Sequence, residues 1–378
     1  MHILINALNR FSKPTGICRH ATNIALSILD RPEIYKITLV IGTWQIDSFN
    51  SILPNSANGK IEFIFIKIRN NSLSRNFWFL FGLPKIVSDI APDIVYLSFP
   101  IPFIKQFFAT TVIATVHDLY PYELPENFGV VQSLFNRFFL KVCVEWADAL
   151  VCVSQATKTS LLNYFPKIEL YKRVEVIYNY IDFSDTCSVM PYCSIDIGNS
   201  PFLLCVAQHR KNKNIDKLLH AYSVLLKDNI LSQEYFLVLV GSLGPETNRI
   251  LTLVQELELT DRVFLLSGVS DSELRWLYEN CNLFVIPSSK EGFCLPLIEA
   301  LYFSCKVVCS DIPVLREIGD ANCTYFQLEG DKTIDNLVES IIYSMDEKVS
   351  GCIFTDSRFT RDTSAKSFAK LFLEQLKD

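Results

Sequence analysis

The chain has 378 residues, 49% of them hydrophobic and 20% charged, with 13 Gly and 16 Pro. That length fits two domains, and that composition excludes a disordered, collagen-like or linker-rich chain. The net charge of −6, from 35 basic and 41 acidic residues, argues against a protein that lives on a nucleic-acid backbone.

The start, MHILINALNR, lacks a basic segment ahead of a long apolar one, so no secretory signal is read there. Ile3–Ala7 is a short apolar run, a loop follows, and Ile17–Leu29 has helical spacing. Further apolar runs at Ile37–Ile41, Phe63–Ile66, Ile94–Leu97, Val112–Val116 and Ala149–Val153 read as strands. Amphipathic stretches such as Val131–Ala147 lie between most of them. The 24 residues between Asp93 and Asp118 hold Lys105 as their sole Lys, Arg, Asp or Glu. Pro100 and Pro102 interrupt them, so they read as two buried strands and a loop, not a membrane span.

The rhythm breaks at Asp182–Ser200, which reads as a linker. A second α/β rhythm follows. Strands are expected at Phe202–Val206, Phe236–Val240, Val263–Leu266, Leu283–Ile286 and Val307–Cys309. Helices are expected at Ile215–Leu226, Arg249–Leu257, Ser272–Tyr278 and Pro296–Phe303, and a last one at Ser364–Leu376. Alternating strands and helices imply an α/β fold of two Rossmann-like domains, each a parallel sheet with helices on both faces. The expected division is 1–182, a linker 183–200, 201–356, and a C-terminal helix 357–378. Sheets of this kind bind ligands at the carboxyl ends of their strands.

Several common chemistries find no support. No Gly-x-Gly-x-x-Gly follows the first strand, and neither a Walker A sequence nor a Gly-x-Ser-x-Gly elbow occurs. The five histidines, His2, His20, His117, His209 and His220, form no metal pattern with one another or with a cysteine. The 12 cysteines include no Cys-x-x-Cys pair; the closest spacings are Cys305/Cys309 and Cys187/Cys193. They read as buried thiols of a reducing compartment. No metal site and no cofactor are expected.

The most informative stretch is SSKEGFCLPLIEALYFSCKVVCS, Ser288–Ser310, directly after the strand Leu283–Ile286. Gly292 loosens the turn there and Pro296 suits a helix start. Open N–H groups at that start, with the helix dipole, would attract a phosphate. Glu299 would then accept ribose hydroxyls, and Glu291 a sugar hydroxyl. In FLLCVAQHRKNKNIDKLL, Phe202–Leu219, the residues Arg210, Lys211 and Lys213 cluster at a strand's carboxyl end and would neutralise a diphosphate. His117 and Asp118 follow the strand Val112–Val116 within TVHDLYPYELP. Gly16, in KPTGICR, permits close approach of a ligand to the backbone.

Together these residues resemble the family-four retaining glycosyltransferases, which have the GT-B fold. The resemblance runs nearly the full length. EGFCLPLIEA (Glu291–Ala300) is similar to that family's Glu-x7-Glu signature, TVHDLYPYELP to its His-Asp segment, and RKNKNIDKLL to its Lys-Asn segment. ADALVCVSQATK, VEVIYNYID, VGSLGPE and SDIPVLREIGDA resemble further family segments. The resemblance implies two domains facing across a cleft, with the C-terminal helix packed back on the N-terminal domain. It implies an acceptor in the N-terminal domain and a nucleotide sugar in the C-terminal one. Glu299 would hold the ribose and Glu291 the donor sugar. Backbone at Phe293, Cys294 and Leu295 would meet the donor phosphate or sugar, beside Gly292 and the Gly241 loop. Lys213, with Arg210, would pair with the diphosphate; His117 would bond the transferring sugar; Gly16 would lie by the donor phosphates. The chain departs from the pattern at Ala207 and Gln208, where many relatives have Gly-Arg, at Cys294, where a glycine is usual, and at Ser304 and Lys306, where relatives have Gly and Pro.

The implied reaction is metal-independent, retaining transfer of a mannose-, rhamnose- or glucose-type sugar from a nucleoside diphosphate to a glycan or lipid-linked glycan. The nucleotide sugar is a co-substrate, and no nucleic-acid partner is implied. A nucleotide-sugar epimerase or hydrolase of the same fold, or a non-catalytic partner protein, are the alternatives. The expected location is the cytoplasm, with contact to the inner face of the plasma membrane. Residues 60–105 carry six basic and three acidic residues beside Phe77, Trp78, Phe79 and Phe81, a mixture that suits an anionic lipid surface. The competing reading makes those aromatics helix core.

Overall fold

The computed structural model describes residues 1–12, 16–52, 59–127, 129–184, 186–191, 200–346 and 355–377. The chain forms two compact units: Met1–Tyr180 with Ser357–Asp378, and Ile181–Asp356.

The first unit runs β1 (His2–Asn6), α1 (Gly16–Ile28), β2 (Lys36–Gly42), α2 (Ile46–Ile52), β3 (Ile61–Ile66) and α3 (Ser72–Phe77). A π-helical turn, Trp78–Gly82, leads into α4 (Leu83–Ile90), β4 (Ile94–Leu97), β5 (Thr111–Val116) and α5 (Tyr120–Glu123). Then come α6 (Val130–Trp146), β6 (Ala149–Cys152), α7 (Gln155–Tyr164) and β7 (Arg173–Val176). The seven strands pair in parallel in the order β3-β2-β1-β4-β5-β6-β7. Parallel strands covered on both faces read as unbroken apolar runs, and every residue of β1, β4 and β6 is buried. One core, around Leu4, Val95, Leu97, Val112 and Ala114, lies under α4 and α6. The other, around Ile3, Ile5, Tyr96 and Ile113, lies under α1.

The second unit runs β8 (Phe202–Val206), α8 (Ile215–Lys227), β9 (Phe236–Val240), α9 (Thr247–Glu256), β10 (Val263–Leu266) and α10 (Asp271–Asn280). It continues through β11 (Leu283–Ile286), α11 (Leu295–Tyr302), β12 (Val307–Ser310), α12 (Pro313–Gly319), β13 (Thr324–Phe326) and α13 (Thr333–Asp346). Its strands pair in parallel in the order β10-β9-β8-β11-β12-β13. Helix α10 opens on a reciprocal cap in which Ser270 and Glu273 satisfy each other's backbone N–H.

The last helix, α14 (Arg361–Gln375), belongs to the first unit. Phe368 and Phe372 set their rings 5.6 and 6.0 Å from that of Tyr96 in β4. Arg361 pairs with Asp30, and Arg31 with Asp362, each at 2.9 Å. The C-terminal segment thus packs back on the N-terminal sheet, as the resemblance implies.

The structure adds elements that the apolar runs do not announce. Edge strand β7 (RVEV) alternates charge with valine, and β13 (TYF) is three residues long, so neither makes an apolar run. Helices α7 and α13 are likewise additions. The linker begins as part of the second unit: Phe183 packs 5.0 Å from Phe303, and Val189 donates its N–H to Ser272. Residues 192–199 of that linker lie outside the described residues. The cysteine reading needs correction. Cys143, Cys152, Cys205 and Cys309 are buried, but Cys187 is exposed in the linker, and Cys281, Cys305 and Cys323 are half-buried at element ends. No disulfide joins the described cysteines. Among the described residues no helix is long and apolar enough to cross a membrane.

Phe372 is fully buried between α14 and the sheet. Phe372→Ala should lower stability by about 3–5 kcal/mol, read as a drop in urea midpoint. An unchanged midpoint would mean that the helix does not dock as described.

Candidate functional site

In the second unit the strand order reverses between β8 and β11, so the loops leaving these two neighbours part at their carboxyl ends. The chain ties the loops together again. Asn214 donates its amide to the carbonyl of Pro287 at 2.7 Å, and Asn212 donates to that of Lys290 at 3.0 Å. Ser289 returns its N–H to the carbonyl of Asn212 at 2.8 Å. Asn214 adopts a left-handed backbone (φ 48°), a conformation that asparagine bears better than most residues.

The tie brings Lys213 onto Glu291, with Nζ 2.5 Å from Oε1 and the side chains 18% and 7% exposed. Burial opposes the charge on Lys213, but the Glu291 carboxylate outweighs it, and the ammonium is held above its ordinary range. The sequence reading assigns these two residues to separate ligand groups; the structure joins them. It does not gather the rest of the basic loop. Lys211 is exposed, Arg210 is half-buried at the head of a short helix, and among the described residues Arg210 forms no ion pair. The three-residue turn aims Asn212 and Lys213 inward and leaves Lys211 in solvent.

Glu291 and buried Gly292 and Phe293 lead to α11. Cys294, the residue before the helix, is 9% exposed and left-handed (φ 67°). That conformation costs a side-chain-bearing residue about 1–2 kcal/mol, which is the physical reason for glycine there in the resembling family. Burial and the Glu291 charge push the Cys294 thiol well up. The helix itself begins at Leu295, so Pro296 sits one residue past its first position. Glu299 lies in its second turn, 7% exposed. Its Oε2 accepts a 2.8 Å hydrogen bond from the phenol of Tyr278, at the end of α10. Tyr278 is 1% exposed, and burial with the Glu299 charge keeps it protonated. Sequence reasoning missed this donor, because nothing in the spacing of two residues 21 apart on different helices announces a contact. At the end of β9, a Cβ on Gly241 would lie 1.9 Å from the carbonyl oxygen of Ala207, so backbone packing alone requires glycine there.

In the first unit the order reverses between β1 and β4. Gly16 opens α1, and a Cβ built on it meets no atom within 4 Å. Residues 13–15 of its loop lie outside the described residues. His117 follows β5. Its Nε2–H donates to the Ser98 carbonyl at 2.7 Å, which leaves Nδ1 as the acceptor of a neutral ring. Asp118 instead accepts the Tyr120 N–H at 3.0 Å. Behind His117, edge-on at 4.6 Å, lies His20, another residue the sequence reading left without a role. His20 pairs with Asn179 at 2.7 Å and Thr115 at 3.1 Å, and Thr115 also meets the Tyr96 hydroxyl. Burial lowers both histidines, His20 further with help from His117.

The buried ion pair predicts a coupled mutant series. Lys213→Met should lower stability by on the order of 2 kcal/mol or more, because it strands the Glu291 carboxylate. The double variant Lys213→Met/Glu291→Met should recover most of that loss in a thermal melt; additive losses would contradict the pairing. The histidines predict a pH dependence. Their folded values lie below the unfolded 6.5, so the unfolded chain binds more protons as pH falls through that value. Stability is therefore complete above about pH 6.5 and declines below it, and His20→Gln should flatten the decline. Equal slopes for wild type and variant would remove His20 as its source.

Comparison with known proteins places these features. Residues 35–185 match the Glycosyltransferase Family 4 model and residues 195–351 the Glycosyl transferases group 1 model. The chain is 29% identical over 227 residues to the O-antigen chain mannosyltransferase RfbU of Salmonella typhimurium, a match covering 60% of each protein. It is 26% identical over 402 residues to the serotype-specific mannosyltransferase WbdA of Escherichia coli, covering 98% of this chain and 46% of that one. The matches thus span only 60% and 46% of these relatives' own lengths. Among solved structures, Anabaena HepE in complex with UDP and glucose superposes with a TM-score of 0.66 at 16% identity, over 99% of this chain and 100% of that one. With two parallel-sheet domains and a family match on each, the chain belongs to the group 1 glycosyltransferases of the GT-B fold.

Proposed function

We propose that the protein moves a mannose-, rhamnose- or glucose-type sugar from a nucleoside diphosphate to a hydroxyl of a glycan or lipid-linked glycan, with retention and without a metal ion or cofactor. The observation that carries this reading is the Lys213–Glu291 pair beside the start of α11, at the strand-order reversal of the second unit. Support comes from the relatives, which are named O-antigen and serotype-specific mannosyltransferases, and from HepE, whose structure holds UDP and glucose. The work is read as cytoplasmic, at the inner face of the plasma membrane.

In this reading Glu299, oriented by Tyr278, accepts the ribose hydroxyls. The opening amides of α11, around Phe293, Cys294 and Leu295, face the donor phosphates, with Gly292 allowing close approach and the Gly241 loop alongside. As the bond from the anomeric carbon to the phosphate oxygen breaks, its electron pair stays on that oxygen. Lys213, with Arg210 nearby on the same loop, meets the charge that develops. The acceptor hydroxyl oxygen bonds to the anomeric carbon on the same face, and its proton passes to the leaving phosphate. Glu291 is bound to Lys213 and orients it, and its outer edge receives a sugar hydroxyl. In the first unit Nδ1 of His117 is the acceptor offered to the transferring sugar, and Gly16 keeps the backbone open to donor phosphates.

The test is nucleotide binding and release. UDP, GDP, dTDP and ADP are tried in thermal shift, and the matching nucleotide should raise the melting temperature by mass action. Glu299→Ala should abolish that shift. Nucleotide release from the sugar donor should depend on added acceptor, persist in a chelator, and fall at least a hundredfold in Glu291→Gln. Release without acceptor would favour a hydrolase, and full activity of Glu291→Gln would remove this site.

A further inference from the structure

Helix α6 is apolar on both sides. Leu140, Cys143 and Val144 face the core, as expected of a helix covering a parallel sheet. Val131, Leu134, Phe135 and Phe138 recur at helical spacing on the opposite face, and they are 67, 62, 55 and 59% exposed. A solvated helix normally carries polar residues there. The segment 72–82 repeats the pattern. Trp78 and Phe79 are buried, whereas Leu73, Phe77 and Phe81 stand out at 82, 65 and 49%. Both segments cover the same face of the first sheet, since Phe79, Leu83, Leu140 and Val144 share one core. The loop between β4 and β5 touches both: Phe81 lies 6.3 Å from exposed Phe107, and buried Phe103 lies 6.4 Å from Trp146. Large apolar side chains exposed together mark an interaction surface.

The charge around the 72–82 segment identifies the occupant. No acidic residue occurs between positions 63 and 88, while Lys67, Arg69, Arg75 and Lys85 do. Among the described residues none of these four forms an ion pair with a carboxylate. Helix α6 adds little charge of its own: Lys141 pairs with Glu145, Arg137 is held by the Pro121 carbonyl and the Tyr122 ring, and Glu123 and Glu126 precede the helix. The protein as a whole carries −6. A basic, aromatic-rich face on an acidic protein matches an anionic phospholipid surface, where rings enter the headgroup boundary and lysine and arginine meet phosphate.

We infer that the outer face of α6, together with Leu73, Phe77, Phe81 and Phe107, docks the first unit on an anionic bilayer. The docking stands on surface chemistry and is independent of the transfer reaction. It corrects the sequence expectation in two ways. Only half of the aromatic run at 77–81 takes part, and the main contact lies on a helix outside residues 60–105.

The experiment is sedimentation with vesicles of phosphatidylcholine, with and without phosphatidylglycerol. The wild type should sediment with the anionic vesicles, and added salt should weaken binding. Phe135→Ser/Phe138→Ser and Lys67→Glu/Arg69→Glu should each lower the partition coefficient about tenfold or more. All these side chains are exposed, so the melting temperature should hold. Light scattering runs in parallel. A dimer dispersed by Phe135→Ser/Phe138→Ser, with no vesicle binding, would assign the face to a second copy and overturn the proposal. Vesicle binding unaffected by either variant would overturn it as well. Nucleotide release in solution reports separately on the transfer reaction.

Discussion

The site depends on one constraint, the adjacency of β8 and β11 at the point where the second sheet reverses its strand order. Only Leu203–Leu283 and Leu204–Phe284 pair across that boundary. The loops beyond would diverge without the bonds from Asn212 and Asn214. Those bonds hold Lys213 against Glu291, and the chain enters α11 from there. A buried ion pair is weak evidence for stability, because desolvation offsets much of its attraction. It lies at the strand-order reversal, where sheets of this kind bind ligands. In the proposed transfer this lysine, kept charged out of bulk water, meets the diphosphate, and the hydrogen-bonded loops spare most of the reorganisation.

In the first unit His20 and His117 sit edge to face. Both side-chain nitrogens of His20 are engaged, by Asn179 and Thr115. Through its edge contact it backs His117, whose Nε2 is anchored on the Ser98 carbonyl. The result is a neutral imidazole with one acceptor nitrogen in a set direction. In the same unit, α6 and the 72–82 segment bury one apolar face and expose large apolar side chains on the other. That is a poor arrangement for a helix in water alone, and it is what the proposed docking uses.

Much of the fold is legible in the sequence because parallel strands are buried on both faces. ILIN, ITLVI, FLLCV and FLVLV stand out as apolar runs whatever lies around them. RVEV and TYF do not, because an edge strand has one neighbour and needs less burial. The site is legible to a similar degree. Glu291, Cys294 and Glu299 share one turn and helix, so their spacing constrains their geometry. Tyr278 and His20 are invisible at that level, since their partners arrive from other elements. Consecutive aromatics at 77–81 pose the same difficulty: helix rotation decides which face buries, and composition does not report rotation.

By itself the sequence determined two α/β halves, the break in rhythm between them, and a helix start with one glutamate ahead of it and one inside it. These follow from local periodicity and from backbone chemistry that acts over a few residues. Only the tertiary structure decided that Lys213 is spent on Glu291 while Lys211 points to solvent, that a buried tyrosine holds Glu299, and that α6 carries a second apolar face. Each depends on contacts between residues far apart in the chain. Such contacts are selected by packing and by the cost of leaving a charge or polar group unpaired, which no local pattern encodes.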